Sequence, residues 1–188
     1  MKITFLGTGT SQGIPMIAND DPVCLSNDSK DKRLRSSVMI SWDDTCYVID
    51  CGPDFRQQML RENIQAINGV LFTHEHSDHT AGIDDLRPFT YKMGEVPIYA
   101  QERVIESLKV RFSYIFETEN RYAGAPKLIE NIIDSNSFML NEVQVTPIAV
   151  MHGKLPITGY RFGNVAYITD LKTMSDHEKK KLENLDVL

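Results

Sequence analysis

The stretch Thr73-His74-Glu75-His76-Ser77-Asp78-His79 constrains this chain more than any other. It reads H-x-H-x-D-H and directly follows the apolar run Gly69-Val70-Leu71-Phe72. An apolar run that ends in dense polar donors is a strand delivering a loop to a site. Neutral imidazole and carboxylate together are the donor set of zinc, manganese or iron. Adjacent Asp78 and His79 project differently from His74 and His76, so the four side chains cannot all reach one tetrahedral ion. Two neighbouring metals are the economical reading, with His74 and His76 on one and Asp78 and His79 on the other.

A dinuclear site needs more donors than one loop supplies, and two stand at later strand ends. Val145 to Met151 ends in His152-Gly153, and Val165 to Thr169 ends in Asp170. Strand ends converge on one edge of a sheet. His152 is therefore expected to complete the first metal beside His74 and His76, and Asp170 to bridge both ions through its two oxygens. Asp50 also closes a strand, and is expected to orient a ligand from behind rather than to ligate. His177 lies among Asp176, Glu178 and Lys179 to Lys181 on a charged helix and is assigned to solvent.

The 188 residues suffice for one domain with a sizeable core, residues 1–188, without repeat or linker. The formal charge of −6 gives no general basic footprint for nucleic acid, so an anionic substrate has to be attracted locally. No apolar stretch approaches the length of a membrane span, and Met1 to Gly7 lacks a signal-peptide pattern. Cys24, Cys46 and Cys51 suit a reducing compartment, so the expected location is the cytoplasm. The expected strands are Lys2–Leu6, Ser37–Trp42, Thr45–Ile49, Gly69–Thr73, Val96–Ala100, Phe138–Leu140, Val143–Val150, Ile157–Phe162 and Val165–Thr169. Asp54 is expected to cap a helix from Phe55 to about Asn63, and Arg103 to Phe116 to form one amphipathic helix. Thr80 to Met93 has helical periodicity interrupted at Pro88, and Ser175 caps a last helix through Leu185. Gly7-Thr8-Gly9-Thr10-Ser11-Gln12-Gly13 misses both standard phosphate-loop spacings. It reads as a glycine turn that lets backbone pass close to the site.

The order strand, H-x-H-x-D-H, later His-Gly and later Asp resembles the metallo-β-lactamase superfamily. Asp50 matches its first motif, His74, His76, Asp78 and His79 the second, His152 the third and Asp170 the fourth. Gly7 to Pro15 and Arg33-Leu34-Arg35-Ser36-Ser37 look more narrowly like the PhnP-type cyclic phosphate phosphodiesterases. The resemblance implies an α/β fold, an αββα sandwich. Two departures stand out. Asn19, Asp21 and Cys24 occupy the places where PhnP-like proteins often carry three cysteines around a structural zinc. The late histidine of the fifth motif, a ligand of the second metal, is absent. The chain stops at Leu185-Asp186-Val187-Leu188, which reads as a strand just begun. The second sheet is accordingly expected to be incomplete and the second metal site weak.

The activity implied is hydrolysis of a small cyclic or nucleotide-like phosphodiester by two divalent ions, zinc or manganese. The expected nucleophile is a water or hydroxide held by the ions, with Asp78 as ligand and orienting acceptor. A tRNA 3′-processing nuclease, a thioester or lactam hydrolase, and a metal-binding remnant without turnover are the alternatives. The expected partner is a small phosphodiester, with nucleic acid and membrane not expected. Self-association through the incomplete second sheet is expected to cover its open edge.

Overall fold

The computed structural model describes residues 1–188. Two sheets stack face to face, with helices on both outer sides. The first has six strands in sequence order: β1 (Lys2–Gly7), β2 (Ser37–Trp42), β3 (Thr45–Ile49), β4 (Gly69–Leu71), β5 (Val96–Ala100) and β6 (Leu128–Ile132). β1, β2 and β3 pair antiparallel, and β3 to β6 pair parallel. The second is antiparallel, in the order β10 (Val165–Tyr167), β9 (Leu155–Phe162), β8 (Val143–His152), β7 (Phe138–Leu140). The helices are α1 (Pro22–Leu25), α2 (Phe55–Arg61), α3 (Ser77–Thr80), α4 (Arg87–Met93), α5 (Glu102–Arg111), α6 (Ser113–Phe116) and α7 (Asp176–Lys180).

Side-chain alternation along each strand explains the layers. Val38, Ile40, Tyr47, Ile49 and Leu71 point inward and meet Val145, Tyr160 and Phe162 of the second sheet. Their neighbours Met39, Val48 and Val70 point outward, against Phe55 and Met59 of α2 and Val104, Ile105 and Leu108 of α5. Both faces of the first sheet are thus buried, as its near-continuous apolar strands require. On the far side Ile148, Val150 and Ile157 pack under Leu182 and Leu185, beyond α7.

Several elements differ from the sequence expectation for identifiable reasons. The Arg103 to Phe116 helix breaks at Phe112, whose φ of −125° and ψ of 42° leave the helical region and separate α5 from α6. Pro88 begins a helix rather than interrupting one, because it lies in the first turn of α4, where its missing N–H is not needed. Ser175 caps the last helix, its side chain accepting from Glu178 N, but α7 ends at Lys180. Asp54 holds the N-cap place of α2 without capping it; its carboxylate instead accepts from Arg35 N at 2.8 Å and Arg35 Nη1 at 2.9 Å. β6 was not foreseen, since its edge position exposes Ile129 and Glu130 and breaks the alternation.

The glycine turn folds back on residues 33–36. Gly9 N donates to Leu34 O at 2.7 Å, and Arg33 Nη1 to Thr8 Oγ1 at 2.9 Å. Nearby, Asp21 caps α1 through Val23 N, and Cys24 Sγ accepts from Met16 N at 3.5 Å. Val187 makes one parallel bridge to Val165 on the outer edge of β10. Beside it an apolar groove of about 380 Å³ runs between Ile3 and Phe5 of β1 and Ala166, Ile168 and Leu182. No helix is long and apolar enough to cross a membrane.

Candidate metal centre

Parallel pairing of β3 with β4 brings the two strand ends Asp50 and Thr73 side by side. Asp50 turns there with a φ of 64°, and Asp170, after β10, does so with a φ of 53°. Aspartate tolerates this left-handed region better than most residues, and at a strand end it turns the side chain out of the ladder. Gly52 allows the next layer of contact. A Cβ there would lie 2.0 Å from Asp78 O, so the backbone of the ligand loop rests directly on Gly52.

The sequence-nominated side chains come together in two groups. His74, His76 and His152 have ligand atoms within 4.8 Å of one another, as do His74, His79 and Asp170. His74 Nε2 and His76 Nδ1 are 3.0 Å apart, and the His152 ring centroid lies 5.4 Å from that of His76. In the second group His79 Nε2 faces Asp170 Oδ2 at 2.9 Å and Asp78 Oδ2 at 3.1 Å. Asp50 is fully buried behind both groups. It accepts from Thr73 N and Thr73 Oγ1 at 2.8 Å each, and sits 2.7 Å from His79 Nδ1. His177 stays outside, with 81% of its side chain accessible.

Thr73 is a site residue the sequence reading missed. Its hydroxyl stands between Asp50 Oδ2 and His74 Nδ1, 2.9 Å from the latter, and so fixes the His74 ring. The only hint in the sequence is its place directly before the first histidine. Arg103 and Arg111 were missed as well, because they approach the loop from α5, about thirty residues away in the chain.

The donors fit a divalent cation. His152 Nδ1 is buried with no hydrogen-bond partner, an unpaired nitrogen that a divalent cation would satisfy. Three carboxylates surround one imidazole, an excess of negative charge that a divalent cation offsets. Burial, helped by His79, lowers the His74 pKa to about 4, so this ring is neutral and ready to ligate. Burial pulls His79 down too, but Asp50, Asp170 and Asp78 outweigh it and raise the pKa to about 12. Hydrogen bonding to His79 lowers Asp170 to about 2.

These shifts have opposite signs for metal-free stability. Between pH 6.5 and about 4 the unfolded chain holds a proton at His74 that the folded chain lacks, so stability falls as pH drops. From pH 6.5 toward about 12 the folded chain holds a proton at His79 that the unfolded chain lacks, so stability falls as pH rises. Chelated protein is expected to melt highest near pH 6.5. Scanning fluorimetry showing a midpoint that climbs steadily from pH 6.5 to about 9 contradicts this.

Comparison with known proteins agrees with this geometry. The profile of the family described as beta-lactamase superfamily domain matches residues 45–188, and the chain belongs to that superfamily. A crystal structure described as a new diphosphatase from the PhnP family superposes with a TM-score of 0.90 at 39% identity, covering 98% of this chain and 72% of that one. The chain is a member of the PhnP family. It is also 40% identical over 191 residues to an octanoyltransferase of Porphyromonas gingivalis, matching 100% of this chain and 38% of that protein. A ribonuclease Z of Methanococcus maripaludis is 26% identical over 174 residues, 88% of this chain and 48% of that one. The chain thus spans 38% and 48% of these two curated relatives. Its fold implies binding of divalent metal.

Proposed function

We propose that this chain is a metal-dependent hydrolase that cleaves a small cyclic or nucleotide-like phosphodiester. The observation that carries the reading is the pair of donor groups meeting at His74, one of three histidines and one of histidine and aspartate. His74, His76 and His152 would hold one ion, His79 and Asp78 the other, with Asp170 between them; zinc or manganese suits both sets. When bound, such a pair activates water at neutral pH and offsets charge on phosphoryl oxygens. Asp50 fixes the His79 ring through Nδ1, which leaves Nε2 turned toward Asp78 and Asp170. Asp78, 19% accessible, would orient the attacking water by accepting a hydrogen bond from it on a carboxylate oxygen. The three-histidine position is the tighter one. The second has one imidazole among carboxylates, a poorer set of nitrogen donors than three histidines. The kinship to a PhnP-family diphosphatase supports phosphoryl chemistry over thioester or lactam hydrolysis.

Purified protein assayed with bis-p-nitrophenyl phosphate tests this. Turnover with added zinc or manganese, lost in chelator and restored by metal, is expected. Metal-loaded protein that leaves this substrate intact but opens a thioester or lactam overturns the proposal.

One observation favours a second reading, an RNA 3′-end nuclease akin to the ribonuclease Z relative. Lys30, Lys32, Arg33 and Arg61 gather around a groove of about 470 Å³ beside β1, a local cationic patch on a chain of charge −6. RNA cleavage that weakens steeply with salt, together with no turnover of small diesters, would favour it.

A further inference from the structure

The two halves of the three-histidine position come from different sheets. His74 and His76 lie on the loop after β4, whereas His152 ends β8. Nothing in either sheet alone sets the gap between them. β9 closes that gap with a row of bonds at alternate residues. Tyr160 Oη donates to Phe72 O at 2.6 Å, and Thr158 N donates to Thr73 O at 3.0 Å. At the next position, Pro156, the bond is made by a third party: Arg103 of α5 donates through Nη2 to Pro156 O. Through Nη1 the same guanidinium donates to Glu75 Oε1, between the two histidines of the loop. Pro156 pairs with Met151, the neighbour of His152, and the hairpin ends one step later with His152 opposite Leu155.

We propose that Arg103 is a positioning residue for this half of the site. By bonding Glu75 and the Pro156 carbonyl at once, it sets the distance of His152 from His74 and His76. The planar fork of arginine suits this, since two rigid N–H vectors fix two partners in one plane and a lysine ammonium cannot. Glu75 has its other oxygen, Oε2, buried with no partner, so its bond to Arg103 is the one that fixes its side chain. Arg111, two turns further along α5, holds the other end of the loop through Thr80 Oγ1 at 2.6 Å, and its hydrogen bonds go to this loop rather than to the second sheet. Loss of Arg103 therefore leaves the loop attached to α5 and frees only its spacing from His152.

The inference rests on the metal-site reading above, and cobalt binding separates the two. Chelated wild type, Arg103→Gln, Arg103→Lys and Glu75→Gln are given graded cobalt(II), with visible absorption, circular dichroism and thermal melting recorded on each. Arg103→Gln is expected to weaken the tight position about 10- to 100-fold and to shift its visible bands, the size seen when a partner of a ligand is lost. Its metal-free melting point is expected to fall only modestly, because Glu75 loses its partner but keeps 22% of its side chain in water. Arg103→Lys is expected to recover only part of the affinity, and Glu75→Gln to fall between. Should Arg103→Gln fail to fold, Glu75→Gln carries the test, because it keeps the arginine and the side-chain size. Wild type that takes up no cobalt overturns the metal reading itself. Wild-type uptake with unchanged affinity and bands in both Arg103→Gln and Glu75→Gln overturns the role of Arg103 alone, as does a fall in melting point with unaltered bands.

Discussion

Replacing His76 with alanine is expected to reduce phosphodiester turnover to background while leaving the fold intact. His76 is exposed, and its ring lies edge-on to those of His74 and His152. Truncating it removes little buried surface, so the metal-free melting point is expected to move by less than about 0.5 kcal/mol in stability. The chemistry loses one of three donors to the tight position. Losing a mere partner of a ligand costs roughly 10- to 100-fold in affinity or activity, and losing the ligand is expected to cost more. Circular dichroism and the bis-p-nitrophenyl phosphate assay on the same preparation decide it. Collapse of the spectrum would show that the histidine cluster carries the fold, and near wild-type turnover would place the reacting centre elsewhere.

Asp50→Ala is expected to act on stability as well as on the site. Asp50 has no solvent exposure and serves Thr73 N, Thr73 Oγ1 and His79 Nδ1. Its removal leaves a buried N–H and a buried imidazole nitrogen without acceptors. Breaking a buried charged pair in this one-sided way costs about 3–5 kcal/mol. The same change frees the His79 ring, so the position formed with Asp78 and Asp170 is expected to lose metal affinity about 10- to 100-fold. Asp50→Asn keeps one acceptor and is expected to fold better than alanine while binding metal nearly as poorly. Urea unfolding of chelated protein measures the first effect and metal titration the second. An alanine variant within about 1 kcal/mol of wild type would mean that neighbouring groups satisfy Thr73 and His79 without Asp50.

Much of the centre was legible because its chemistry is written locally. The ligand loop is contiguous in sequence, and Asp50, His152 and Asp170 each follow a strand-like run. A strand end fixes where a side chain emerges, so the position in the pattern carries the position in space. Ser37–Trp42 and Thr45–Ile49 were legible as strands from their largely apolar runs, and both of their faces are buried. What escaped notice depends on distant partners. Asp54 has the residue type and place of an N-cap, but Arg35 lies closer in space and takes the carboxylate. β6 is an edge strand whose parallel pairing to β5 supplies the bonds while its side chains face water, so no alternation marks it. Phe112 breaks a helix that its periodicity would continue. Arg103 looks like any surface cation on an amphipathic helix; only the packing of α5 beside the ligand loop makes it a link between the two sheets.

The most direct test is anomalous diffraction at the metal edge on crystals grown with zinc or manganese. Two peaks are expected, a stronger one among His74, His76 and His152 and a weaker one among Asp78, His79 and Asp170, with Asp170 reaching both. Peaks on another residue set, such as His177 or Cys24, or equal occupancy at the two positions, would contradict the account.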